Sequence, residues 1–129
     1  MTHYYEKLAE FKRIGYDIIV DKTYCDLTPR HSFEDCDVEQ LCKDIDSGIY
    51  DWFMLRVRVL VEGHELAAEY LTGCLYEDAR EVLTDGLAEE QIHLAMTAAK
   101  KEVTRLSRVL WALQMEMDQI AMEYEHAQE

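Results

Sequence analysis

The chain has 129 residues, 49 % of them hydrophobic, a length and composition that suit one domain with a small core. Thirteen basic residues against 27 acidic ones leave a formal net charge of −14 at pH 7, which disfavours direct binding of DNA, RNA or an anionic membrane. We find no apolar run of the roughly 18 residues that a membrane-spanning helix needs and no secretion signal. We therefore expect a cytoplasmic protein with reduced thiols.

The first two predicted elements are a helix and a strand. Residues 3–13 are predicted to form a short helix, because Tyr4, Leu8 and Phe11 would share one helical face. The stretch Tyr16–Val20 is rich in β-branched residues and predicts a strand.

A loop and a second helix follow. Residues 23–36 contain the only proline, Pro29, and are predicted to form a loop. Asp37 is expected to cap a helix that ends near Ser47, because the side chain of Asp accepts a hydrogen bond from a free backbone N–H group in the first turn of a helix.

A hairpin is predicted in the middle of the chain. In a strand over 53–61 one face would be entirely apolar, with Phe53, Leu55, Val57, Val59 and Val61, and the other face would carry Arg56 and Arg58. Residues 65–72 are expected to return beside this strand and end at Gly73. Residues 77–84 are predicted to form a short helix.

The most regular pattern is at the carboxyl end of the chain, where residues 89–126 are predicted to form one helix without Gly or Pro. Its apolar residues recur at alternating steps of four and three, which is the heptad pattern of coiled coils. The predicted seam comprises Ile92, Met96, Ala99, Val103, Leu106, Leu110, Leu113, Met117, Ile120 and Tyr124.

The length of this helix predicts self-association. A helix of about 38 residues spans roughly 57 Å, whereas a domain of this size has a radius of gyration of only about 14 Å. The helix must overhang its own domain, so we expect a homo-oligomer, most simply a homodimer, with the direction of the helices left open. The alternative is a break near Ser107 that folds the helix back, although no turn residue supports it.

A second apolar stripe lies off the seam of this helix and includes Leu94, Trp111, Met115 and Met122. We expect it either to pack on the sheet or to hold a further protein, since Met is common at adaptable binding surfaces.

Together these elements predict an α+β fold. It consists of a small antiparallel sheet of about three strands, short helices, and a long C-terminal helix like that of a coiled coil. Residues 1–86 would form the α+β part and residues 87–129 the long helix of the same single domain.

Metal and nucleophile motifs are weak. Cys25, His31, Cys36 and Cys42 lack the close cysteine pair typical of zinc sites. Phosphate-binding glycine loops and nucleophile elbows are also missing from the sequence. We therefore predict a protein that is not an enzyme and binds no metal or cofactor.

Two further possibilities lead to the same prediction. Cys42 and Cys74 are expected to be small buried hydrophobic residues. Cys74 also follows a predicted strand end, where a thiol could be exposed, but so acidic a chain would raise the pKa of that thiol. The pairs Glu90/His93 and Glu123/His126 resemble halves of a di-iron site, yet they lie about 50 Å apart on one helix and cannot meet within one chain.

Acidic residues are clustered rather than spread evenly, and a solvated face or a docking surface for a basic protein would both produce such a cluster. We predict the second. The partner-binding surface would comprise Glu34, Asp35, Asp37, Glu39, Asp44 and Asp46.

An alternative binding site, for a small anion, would use two arginines of the strand predicted over 53–61. Arg56 and Arg58 lie on the polar face of the strand at 53–61 and could form a pocket with Tyr70 for a small anion such as a nucleotide. The competing expectation is that they pair with Glu65 and Glu69.

The segment Val59–Val82, which contains GHELAAEYLTGCLYEDAREV, resembles small uncharacterised acidic proteins of phages and plasmids. The resemblance lies in a hairpin, the pattern Tyr-Leu-x-Gly-Cys-x-Tyr and an acidic helix, and it implies a mobile-element origin. We therefore expect a non-enzymatic interaction protein that inhibits a nucleic-acid-binding defence system of the host, of the anti-CRISPR or anti-restriction type. The alternative is a module that sequesters a small anionic ligand with Arg56 and Arg58.

Overall fold

The computed structural model describes residues 4–27, 29 and 38–128. These residues form four strands, two α-helices and one short 3₁₀ helix. In chain order they are β1 (Glu6–Arg13), β2 (Tyr16–Tyr24), α1 (Val38–Asp46), β3 (Asp51–Val61), β4 (His64–Tyr76), the 3₁₀ helix (Ala79–Leu83) and α2 (Leu87–Ala127).

The four strands form one antiparallel sheet in the order β1-β2-β3-β4, so each strand pairs with its neighbour in sequence. The first part of α2 packs on one face of this sheet. The arrangement confirms the predicted α+β fold, with four strands where about three were expected.

The core lies between the sheet and α2. The alternation predicted for β3 is confirmed, because Phe53, Leu55, Val57 and Val59 are almost completely buried on the side that faces α2. Burial of each such side chain contributes about 1.5–3 kcal/mol to the free energy of unfolding.

The prediction of a helix over residues 3–13 is wrong, since Glu6–Arg13 forms the edge strand β1. One extra residue, Leu8, is inserted between Lys7 and Ala9 as a β-bulge. The bulge lets Leu8 and Phe11, three residues apart, both pack against the core. That spacing imitates the periodicity of a helix.

The predicted end of the second hairpin strand at Gly73 is also wrong. β4 continues to Tyr76, and Gly73 lies within it with φ of 73°. The register shifts by one residue here, because Phe53 pairs with Cys74 while Leu55 pairs with Leu71. Gly73 therefore forms a bulge rather than a strand end, as its left-handed φ allows.

The remaining short elements agree with the sequence patterns. α1 and the 3₁₀ helix lie where short helices were predicted, and β2 extends through Thr23 and Tyr24 into the predicted loop. The predicted cap Asp37 and most of that loop lie outside the described residues. In the described part of the chain, no helix is long and apolar enough to cross a bilayer.

Candidate functional site

α2 is divided into a packed part and a free part. Ala88, Ile92, Ala95 and Ala99 are buried against the sheet. Beyond them, every residue of 103–128 except Leu106 is exposed. We call residues 103–127 the overhang; at 1.5 Å per residue it extends for about 38 Å. The predicted overhang is thereby confirmed, and the alternative of a break near Ser107 is wrong because α2 is continuous.

The exposed part of the predicted seam runs along the overhang. Leu110, Leu113, Met117, Ile120 and Tyr124 are 48–65 % exposed. The amino-terminal seam residues are covered instead, since Ile92 and Ala99 are buried and Met96 packs against the core. One continuous stripe thus begins beneath the sheet and ends in solvent.

The second apolar stripe lies in solvent as well. Three of its residues are more than half exposed, namely Trp111, Met115 and Met122. The expectation that this stripe packs on the sheet is therefore wrong for these residues. Leu94, which is 45 % exposed, is likewise not part of the core.

A free helix of this kind is unfavourable for a single chain. Most of the stability of helices in proteins comes from the packing of an apolar face, and monomeric proteins seldom expose large contiguous apolar patches. The overhang is therefore the strongest candidate for a binding surface among the described residues.

Only part of the predicted acidic surface lies among the described residues. Glu39, Asp44 and Asp46 lie on α1, where Asp44 accepts a hydrogen bond from Gln40 (Nε2–Oδ1 2.9 Å). Glu34, Asp35 and Asp37 lie outside the described residues. The structure therefore locates one half of the predicted partner-binding surface.

A cleft of about 360 Å³ lies beside α1 and was not predicted. Its lining residues include three acids and three aromatic residues, which are Asp26, Asp46, Asp51, Tyr24, Tyr50 and Trp52. Carboxylates and aromatic rings are the groups that bind a Lys or Arg side chain.

Contacts among the described residues help to hold the walls of this cleft. The indole Nε1 of Trp52 donates to the carbonyl oxygen of Leu27 at 2.8 Å. The ammonium group of Lys22 forms an ion pair with Asp51. Asp26 and Asp46 are twenty residues apart in the sequence, so no local pattern could have predicted the cleft.

Arg56 and Tyr70 are brought together, as the alternative site required, because they are paired residues of β3 and β4. However, Arg56 donates two hydrogen bonds to buried Asp21, at 2.8 and 2.6 Å, and its guanidinium carbon lies 3.4 Å from the ring centroid of Tyr5. The hydrogen bonds to Asp21 raise the pKa of Arg56.

Arg58 is paired too, since its Nε donates to Glu65 at 2.7 Å. The expected pairing with Glu65 is confirmed. Both arginines are thus neutralised by acids of the same sheet, which leaves little positive charge for a small anion.

Cys74 is buried, as expected of a small hydrophobic residue, and its thiol is not exposed at a strand end. Burial raises the pKa of its thiol to about 11, so the thiolate that a nucleophile needs is scarce at neutral pH. Within the described ranges, no group of three or more His, Cys, Asp or Glu side chains is arranged to hold a metal ion.

Comparison with known proteins adds nothing to this picture, because no family model, curated protein or solved structure matches the chain.

Proposed function

We propose that this protein is a non-enzymatic interaction protein that self-associates through the overhang of α2 and binds a basic partner through the acidic surface beside α1. The observation that carries the proposal is the row of apolar seam residues exposed along the overhang.

Self-association follows from the pattern of that row. Apolar residues spaced by four and three are the signature of a helix that packs on another helix with the same repeat. A second copy supplies such a helix without a further gene product, and symmetric dimers are the commonest protein assemblies.

The basic character of the partner follows from charge. A net charge of −14 attracts positively charged surfaces and speeds their association. The cleft beside α1 adds a specific feature, because Asp26, Asp46 and the ring of Tyr24 would meet the end of a Lys or Arg side chain.

The finer proposal concerns the identity of that partner. Proteins that bind nucleic acids present basic grooves, and an acidic protein with a mobile-element origin gains from blocking them. We therefore propose a nucleic-acid-binding defence complex of the host, of the CRISPR or restriction type, as the target. The ion pairs of Arg56 and Arg58 argue against the alternative of a nucleotide-sequestering module.

Self-association is tested by placing charges in the seam. L110D/L113D alters two residues that are exposed in the single chain, so the sheet should remain folded. Burying unpaired carboxylates between helices should weaken a dimer by about 3 kcal/mol or more, roughly 100-fold in Kd. Sedimentation should then report the chain mass of 15.2 kDa, against twice that mass for the unaltered protein.

The matched control is M115D/M122D, which adds the same charges on the second stripe and should leave the dimer intact. A monomer for the unaltered protein at all concentrations would contradict self-association.

The partner proposal is tested in bacteria that carry an active CRISPR or restriction system. Expression of the protein should restore phage plaques, and E39K/D44K/D46K on α1 should abolish that effect because the surface charge is inverted. The control E10K/E62K/E90K has the same net charge, leaves α1 and its surroundings unchanged and should remain active. Failure of the unaltered protein against every system in the panel would refute the inhibitor proposal without touching self-association.

A further inference from the structure

The charges of α2 are sorted along its length. Residues 100–108 carry four basic side chains and one acid, a formal charge of +3. Residues 109–128 carry four acids and no Lys or Arg, a formal charge of −4 with His neutral. The basic side chains are Lys100, Lys101, Arg105 and Arg108, and the acids are Glu116, Asp118, Glu123 and Glu125.

This sorting distinguishes the two directions in which a second helix could pack. In a parallel pair, the acidic end of one chain would lie beside the acidic end of the other, and the like charges would repel. In an antiparallel pair, each basic segment would lie beside the acidic segment of the second copy, and the charges would attract.

The sheet imposes a second, independent condition. It already covers the first part of the seam, at Ile92 and Ala99. In a parallel dimer both sheets would lie between the two helices at the same end and hold them apart. In an antiparallel dimer the sheets lie at opposite ends, and each is followed along the seam by the helix of the second copy.

We infer that the overhang binds a second copy of this chain in the antiparallel orientation. The inference rests on the proposed self-association and specifies its geometry. If residues 103–127 of the two copies overlap completely, the twofold axis of the dimer passes near Met115. It places Leu113 beside Met117 of the second copy and Leu110 beside Ile120 of the second copy.

The flanking residues agree in part with this register. Arg105 lies near the level of Glu123 of the second copy, where attraction is expected, while Glu116 approaches its own symmetry mate. In the single chain Arg105 pairs with Glu102 at 2.5 Å, an exposed contact that is readily exchanged for another.

The orientation has a consequence for partner binding. The sheets pack near residue 94 of α2, about 21 residues from the axis, so the two sheets would lie roughly 65 Å apart. The dimer would then present two acidic clefts at its opposite ends, whereas a parallel dimer would present them side by side.

Sedimentation and small-angle X-ray scattering of the unaltered protein test the inference. Two 41-residue helices that overlap over 25 residues form a rod of about 86 Å, whereas two parallel helices span about 62 Å. A dimer with the longer maximum dimension supports the inference. A dimer with the shorter one overturns the orientation but leaves self-association standing, and a monomer overturns both.

A charge-reversal pair gives a second readout. E123K/E125K lowers the net negative charge, which by itself favours association. It nevertheless places Lys beside the basic segment of the second copy, so Kd should rise about fivefold or more.

The control E77K/E90K changes the net charge equally on the sheet side of the molecule and should bind as the unaltered protein does or slightly tighter. If E123K/E125K dimerises as tightly as this control, the antiparallel orientation is wrong.

Discussion

Ile14 and Gly15 form the two-residue turn between β1 and β2, and both have positive φ, 52° and 83°. Positive φ at both central residues defines the turn that best fits the twist of a hairpin, and Gly adopts it without cost. Ile14 adopts it only at a cost in free energy, because its branched Cβ meets the backbone in the left-handed region. Its side chain is 92 % exposed, so burial in the single chain offers no compensation.

Replacing Ile14 by Asn should therefore stabilise the protein. Asn tolerates positive φ, and Asn-Gly is a preferred sequence for this turn. I14N should raise the free energy of unfolding by about 1 kcal/mol, since the left-handed region costs a β-branched residue roughly that amount. Thermal unfolding measures the change, and I14V, which keeps the branched Cβ, is the control. A less stable I14N would mean that Ile14 is held by a contact in the assembled protein.

At the level of elements, the amino-terminal end of α2 is fastened to the sheet by two contacts. Asp85 accepts hydrogen bonds from the hydroxyl of Tyr76 at 2.5 Å and from the backbone amide of Leu87 at 3.0 Å. Arg13, at the end of β1, donates two hydrogen bonds to Glu89. These contacts orient α2 so that its first part covers the core and its overhang leaves the domain.

Stability should depend on acid pH through the first of these contacts. The hydrogen bond from Tyr76, and then that from Leu87, lowers the pKa of Asp85. A carboxyl whose pKa is lowered by folding stabilises the fold above its unfolded-state pKa, and this stabilisation is lost as pH falls through the native pKa. Burial and the bond to Asp85 raise the pKa of Tyr76, so its hydroxyl stays a donor across this acidic range.

D85A should thus reduce the free energy of unfolding at pH 7 by about 1 kcal/mol, the usual net contribution of a hydrogen bond. The difference from the unaltered protein should begin to shrink below about pH 4, where the carboxyl of the unfolded chain takes up a proton, and should be lost as pH falls through the lower native pKa of Asp85. Denaturant unfolding across pH 2.5–7, a range that brackets ordinary carboxyl pKa values, measures this difference. Parallel pH profiles for the two proteins would show that Asp85 does not contribute through its charge.

At the scale of the whole molecule, the overhang is the feature on which the proposed self-association rests. A compact sheet with one covering helix would need only the part of α2 up to about Ala99, yet the helix continues through Ala127. The exposed seam, the sorted charges and the sheet on the first part of the same stripe are properties of the entire helix. They are consistent with a symmetric assembly that carries its acidic clefts at a distance from one another.

Much of this architecture could be predicted from the sequence because it depends on repeated local patterns. The alternation in β3 and the heptad steps in α2 each persist over many residues, so one irregular position does not hide them. The overhang followed from helix length alone. The pairing of Arg58 with Glu65 was also predictable, since the two residues lie on adjoining strands of one hairpin.

The sequence determined the α+β class, the hairpin at β3 and β4 and the long helix, because each is encoded in the periodicity of neighbouring residues. Other features were decided only by tertiary structure. Three such features depend on which distant segments meet: the strand state of β1, the ion pair between Arg56 and Asp21 and the cleft beside α1. A bulge, an ion pair between distant residues and a cleft are products of non-local contacts, which the periodicity of neighbouring residues does not encode.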